Sequence, residues 1–170
     1  MALPSESDAL LERCDRVKAQ GNEAFKKERH AHARERYTAA LNLARQANEK
    51  PAKGLPTRVA LCLANRSQVH LATEEPPYAD ALKDAEECTR EGPGWPKGFY
   101  RLGQVHMKRE EYMKAYSAFK QGWHLDMSNA ELTKACQDAH EAMISKNRAK
   151  HAPKALAPST APAAPAPPAH

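Results

Sequence analysis

Two stretches of the chain, SQVHLATEEPPYADALKDA (67–85) and GQVHMKREEYMKAYSAF (103–119), read as copies of one unit. Each opens on a small residue followed by Gln-Val-His. Each then passes an acidic turn and a Tyr, and enters a second helix near a small Ala. GNEAFKKERHAHARERYTAA (21–40) has the same layout. Ala81 and Ala115 stand 34 residues apart. Repetition at that period predicts a stack of supersecondary units, in which three copies are the minimum for stability. Three are present.

The units are helical. Val, Ile, Thr and aromatic residues never cluster with period-two alternation, while Ala, Leu, Lys, Glu, Gln and Arg dominate. Period and layout together resemble the tetratricopeptide repeat, a helix–turn–helix whose small residues let its two helices approach closely. In that pattern Gly21, Ser67 and Gly103 are the small residues where the first helix of each pair meets its partner. Ala33, Ala81 and Ala115 are their counterparts on the second helix. Tyr37 and Phe119 supply bulk, with Ala85 a weaker match between them, and Val17, Leu63 and Phe99 fill the early apolar position. The chain departs from the pattern in two ways. Only the second repeat ends on a proline, Pro93, and Ala24, His70 and His106 stand where Tyr is usual.

Gly21 and Ser67 are 46 residues apart, so about 12 extra residues separate the first two repeats. They are expected to extend the second helix through LARQANEK and to form a loop at PAKGLP. The Pro pair in TEEPPY is expected to widen the turn of the second repeat. The expected organisation is therefore all-α: repeats at about 14–47, 60–95 and 96–129, then a capping helix at about 129–148. The resemblance implies a right-handed superhelix. On the last helix Leu132, Ala135, Cys136, Ala139 and Met143 share one face, suited to covering the exposed end of the stack.

Of 13 prolines, six fall in residues 151–170, which leaves an ordered domain of about 1–148 and a Pro/Ala-rich tail, 149–170, expected to be disordered. The 41% hydrophobic content suits one modest core. No apolar run is long enough to span a membrane, and the start lacks the basic and apolar regions of a secretory signal. Cys14, Cys62, Cys88 and Cys136 are far apart and form no CxxC pair, as expected for reduced, structural cysteines in a cytoplasmic protein.

The net charge of +5 hints at an acidic partner. Lys150 and Lys154 near the tail supply part of it, and no aromatic row lines up for base stacking, so nucleic acid is not expected. His30 and His32, in HAHARER, are two apart on a helix and do not face one metal site. Trp95, Trp123, His70 and His106 read as packing residues, and the Glu74–Glu75 and Glu110–Glu111 pairs as exposed acids at turns. No Ser/His/Asp set, Gly-rich phosphate loop or paired-carboxylate site can be assigned. An enzyme is not expected, nor any cofactor or metal.

The binding chemistry sits on the first helix of each repeat. RVKAQGNEAFK carries Lys18 and Asn22, LCLANRSQVH carries Asn65, and WPKGFYRLG carries Lys97 and Arg101. Residues four apart share a helix face. Any one of these lysines alone would be read as solvated; five specified residues at five repeat positions are not explained that way. They resemble, together with the flanking KxxGNxxF, NRS and KGxYR, the carboxylate-clamp tetratricopeptide domains of chaperone adaptors. The resemblance covers about residues 12–130. It implies a concave surface lined by the first helices and a ligand, the EEVD-type C-terminus of heat-shock protein 90 or heat-shock protein 70. A C-terminal Asp carries two carboxylates, which charge-assisted hydrogen bonds hold at about 1.5–3 kcal/mol each. Arg can fork onto a carboxylate, Lys supplies a compact charge, and Asn adds neutral donors. Phe25 and Gln104 are expected to touch peptide side chains before the Asp. Two other readings stay open: a scaffold that binds an internal peptide, or the targeting module of a longer enzyme.

Overall fold

The computed structural model describes residues 5–50, 54–73 and 75–151; the Pro/Ala-rich segment from 152 onward lies outside the described residues. Among the described residues there are seven helices and no strand: α1 (Glu6–Lys26), α2 (His30–Ala47), α3 (Arg58–Leu71), α4 (Tyr78–Glu91), α5 (Pro96–Lys108), α6 (Tyr112–Leu125) and α7 (Ala130–His151). Helices α1 and α2, α3 and α4, and α5 and α6 form the three pairs, and α7 packs on α6. Helix α3 also touches both α1 and α5, so the first helices of the pairs lie side by side in one layer.

Local chemistry starts several helices. Ser5 and Asp8 form a reciprocal capping box at α1, with the Asp8 amide donating to Ser5 Oγ at 3.1 Å. Thr57 Oγ1 accepts the Ala60 amide at 3.1 Å to start α3, and Asn129 Oδ1 accepts the Leu132 amide at 3.1 Å to start α7. Pro96 occupies the first turn of α5, where its missing N–H costs nothing.

The pairs close through size matching. A Cβ at Gly21 would lie 2.7 Å from Tyr37 Cε1, and one at Gly103 would lie 2.3 Å from Phe119 Cε1. In the middle repeat the aromatic is replaced by Ala85, and the space admits a hydroxyl: Ser67 Oγ donates to the Ala81 carbonyl at 2.8 Å. Gly103→Ala should therefore lower stability by about 1–3 kcal/mol through overpacking against the Phe119 ring. Urea denaturation would show this as a lower midpoint at unchanged slope, and an unchanged midpoint would refute it.

Two local expectations need correction. Helix α2 ends at Ala47 instead of continuing through LARQANEK. Asn48 adopts a left-handed conformation (φ 51°) and its N–H bonds the Arg45 carbonyl, a helix stop that Asn tolerates. At the other end, α7 continues to His151, three residues into the segment read as tail. The turn at 72–77 is longer than the equivalent turns at 27–29 and 109–111, as the Pro pair predicted, with Glu74 outside the described residues.

The histidines at Tyr positions are buried, but each has a polar partner. His106 Nδ1 lies 2.7 Å from Glu111 Oε2, and His70 Nε2 lies 3.6 Å from Asp84 Oδ2. Glu111 is thus not the ordinary exposed acid expected, since it also meets Arg109 at 3.1 Å. His106 first, with Arg109 and Lys114 behind it, holds the Glu111 carboxyl below its usual range. A part-buried ion pair joins α3 to α4: Arg66 Nε and Nη2 each donate to the buried Asp84 at 2.7 Å, while Nη1 reaches Thr38 Oγ1 on α2 at 3.1 Å. Among the described residues all four cysteines are free, and burial pushes the Cys88 thiol up to about 12. Trp95 packs on the core between the first two pairs, and Trp123 joins Phe119, Leu132 and Ala139 beneath α7.

Candidate carboxylate-binding face

Lys18 and Asn22 stand one turn apart on α1. Asn22 Oδ1 accepts from Tyr37 Oη at 2.8 Å and from Asn65 Nδ2 at 3.3 Å, which ties the first repeat to the second. Burial pushes the Tyr37 hydroxyl up to about 12, so it stays a donor at neutral pH. Asn22 is exposed, and its NH2 group has no acceptor among the described residues.

Lys97 and Arg101 lie on the opening turns of α5, on the other side of α3. Lys97 is exposed and has no ion pair among the described residues. Arg101 is half-buried: Nη1 donates to Gln104 Oε1 at 2.7 Å, and the guanidinium carbon sits 5.9 Å from the Tyr100 ring centroid. Its Nε is buried without a partner. Burial lowers the Arg101 pKa from the ordinary arginine value, opposed by Tyr100, Glu131 and Cys88. A desolvated guanidinium with an unmet donor gains more from an incoming anion than an exposed one does.

The structure therefore joins Asn22 and Asn65 directly, keeps Lys18 one turn from Asn22 on α1, and places Lys97 and Arg101 on α5, in the same layer. Phe25 is half-buried, 5.7 Å from the His30 ring, and lines a cleft of about 340 Å³ with Ala19, Asn22, Tyr37, Asn65 and Gln68. Gln104 stands as the hydrogen-bond partner of Arg101. Phe99 and Leu102, flanking the cations, are half-buried and not fully enclosed. A larger cleft of about 570 Å³ lies elsewhere, between α2 and α4, with the Arg66–Asp84 pair in its lining and none of these five residues.

Sequence reasoning missed the acids beside Lys18. Its Nζ lies 2.6 Å from Asp15 Oδ1, and Asp15 Oδ2 lies 3.4 Å from Arg58 Nε and Nη2. Arg58 is in turn held by Glu49, which accepts its backbone N–H at 2.7 Å and pairs with its guanidinium. Burial pushes the Asp15 carboxyl up, but the bond to Lys18 and the charge of Arg58 outweigh it and hold the carboxyl below its usual range. The spacing of Asp15 and Lys18, three apart on a helix, was a visible signal; the contact with Arg58, 43 residues on, was not.

No protein-family model matches the chain. Heat shock protein STI1 of Saccharomyces cerevisiae is 30% identical over 126 residues, 74% of this chain and 19% of the relative. Hsp70-Hsp90 organizing protein 1 of Glycine max is 30% identical over 142 residues, 84% of this chain and 22% of the relative. The chain thus spans about a fifth of the length of these curated relatives. Among solved structures, the Sgt2 TPR domain from Aspergillus fumigatus matches with a TM-score of 0.69 at 22% identity, covering 89% of this chain and 92% of that one. The first TPR of Spaghetti (RPAP3), bound to the HSP90 peptide SRMEEVD, matches with a TM-score of 0.65 at 16% identity, covering 78% and 94%. With three helix pairs, a seventh helix over their end and these likenesses in sequence and fold, the chain is a tetratricopeptide-repeat domain related to the Hsp70–Hsp90 organizing proteins.

Proposed function

We propose that this domain is a co-chaperone or adaptor module that binds the C-terminal EEVD-type peptide of heat-shock protein 90, heat-shock protein 70 or both. Lys18, Asn22, Asn65, Lys97 and Arg101 form the clamp. The observation that carries the reading is Arg101, a half-buried cation with an unpartnered Nε, one turn from the exposed and unpaired Lys97. Such a pair is unfavourable to keep in an empty site and favourable once a carboxylate arrives.

The division of labour follows from the chemistry. Arg101 supplies the directional, charge-assisted donors, and Lys97 and Lys18 supply compact charge for the two carboxylates of the last residue. Asn22, braced by Tyr37 and Asn65, donates without adding repulsion. The module works by binding and not by catalysis, in the cytoplasm. Among the described residues no helix is long and apolar enough to cross a membrane. The relatives' names and the peptide in the Spaghetti complex support the chaperone as partner.

Titration with a peptide ending in MEEVD, as free acid and as C-terminal amide, tests this by calorimetry or fluorescence anisotropy. The free acid should bind with a roughly micromolar Kd and the amide at least tenfold more weakly. An IEEVD peptide would rank the two chaperones. Equal binding of acid and amide, or none by either, would reject the clamp and favour a scaffold for internal peptides.

A further inference from the structure

The two halves of the clamp are not equally available. Lys97 has no ion pair among the described residues, whereas Lys18 is held by Asp15 at 2.6 Å with its side chain only 20% exposed. A carboxylate of the domain's own already occupies the first-repeat cation. We infer that Asp15 is an internal counter-carboxylate that competes with the ligand for Lys18 and so sets the affinity of the face for acidic chain ends; this rests on the clamp reading above.

The surroundings suit an exchange. Asp15 Oδ2 lies 3.4 Å from Arg58, and Arg58 is fixed in place by Glu49, through its backbone N–H and its guanidinium together. When a ligand carboxylate takes Lys18, Asp15 still faces a cation and no charge is orphaned, which would be the costly outcome. The exchange has two costs: the lost Lys18–Asp15 contact, and the repulsion between Asp15 and an arriving dianion. Arg58 lowers both by drawing Asp15 toward itself, and Glu49 weakens that pull by holding Arg58. The four side chains act as one chain of alternating charge, with the ligand's carboxylate competing at its Lys18 end.

The contact that is lost is an i,i+3 pair with a partly exposed acid, a class of ion pair worth about 0.2–1 kcal/mol. Asp15→Asn should therefore tighten binding of the MEEVD free acid about three- to fivefold. In a Lys18→Ala background the same substitution should change affinity less than about twofold, because the competition has gone. Glu49→Gln, which keeps an acceptor for the Arg58 backbone while freeing the guanidinium, should also tighten binding. It carries the same test should Asp15→Asn fail to fold, as thermal melts of each variant would reveal.

The measurement is a titration of wild type, Asp15→Asn, Lys18→Ala and the double variant with the free-acid peptide at one salt concentration. Tightening in the wild-type background alone supports the inference. Wild-type binding that Asp15→Asn leaves unchanged or weakens overturns it and leaves the clamp standing. Equal tightening with and without Lys18 overturns it as well, since removal of a negative charge would then act at a distance. If no variant binds the free acid, the clamp itself is wrong and the inference falls with it.

Discussion

Asp84→Ala should lower the stability of the fold by about 3–5 kcal/mol, because it leaves a largely buried arginine without its counter-charge. Asp84 is 3% exposed and receives two hydrogen bonds of 2.7 Å from Arg66, whose third nitrogen, Nη1, reaches Thr38. One guanidinium thus pins α3 to α4 and α2 together. The bond to Asp84 raises the Arg66 pKa, and even without it a guanidinium keeps its proton at neutral pH, so the stranded cation cannot escape by neutralising. His70, buried beside Asp84 with an unpartnered Nδ1, would lose its neighbouring acceptor too. Replacing both partners, as Arg66→Met with Asp84→Leu, removes the charge and its counter-charge together and should come out closer to wild type than Asp84→Ala alone. Urea denaturation of the three proteins decides this. A loss under about 1 kcal/mol for Asp84→Ala would show that Arg66 reaches water through the cleft between α2 and α4.

Arg101→Met should have opposite effects on binding and on stability. The substitution keeps an apolar stem but removes the fork, so affinity for the free-acid peptide should fall about 30- to 150-fold, or about 2–3 kcal/mol. The free domain should be as stable as wild type or more so. Arg101 pays a desolvation cost in the empty site, with its Nε unpartnered and burial lowering its pKa. Arg101→Lys, which restores charge without the fork, should recover only part of the affinity. Calorimetry and thermal melts on the same samples give both readings. A parallel loss of binding and stability would instead assign Arg101 a packing role.

The residues of the candidate site were legible because their signals are short-range. Lys97 and Arg101 share a helix face by spacing alone, and the resemblance to carboxylate-clamp domains adds Lys18, Asn22 and Asn65 on the first helices of the other repeats. The exchange of Gly and an aromatic for Ser67 and Ala85 in the middle repeat was visible as a mismatch. Its meaning was not, because it lies in the volume between two helices, which a hydroxyl fills by bonding a carbonyl. The helix stop at Asn48 was missed because propensity favours continuing through LARQANEK, while a left-handed Asn ends the helix ahead of Pro51.

The sequence by itself determined the helices, their pairing in three repeats and the five candidate residues on the first helix of each pair. Each of these is a matter of periodic spacing, and spacing survives without any knowledge of how the pairs rotate against one another. Only the tertiary structure decided which charges neutralise which. Asp15 meets Arg58 from 43 residues away and Arg66 meets Asp84 from 18, with Glu49 joining from the linker. Long charged side chains find partners by helix rotation and by what burial leaves within reach, and neither is written in the local pattern.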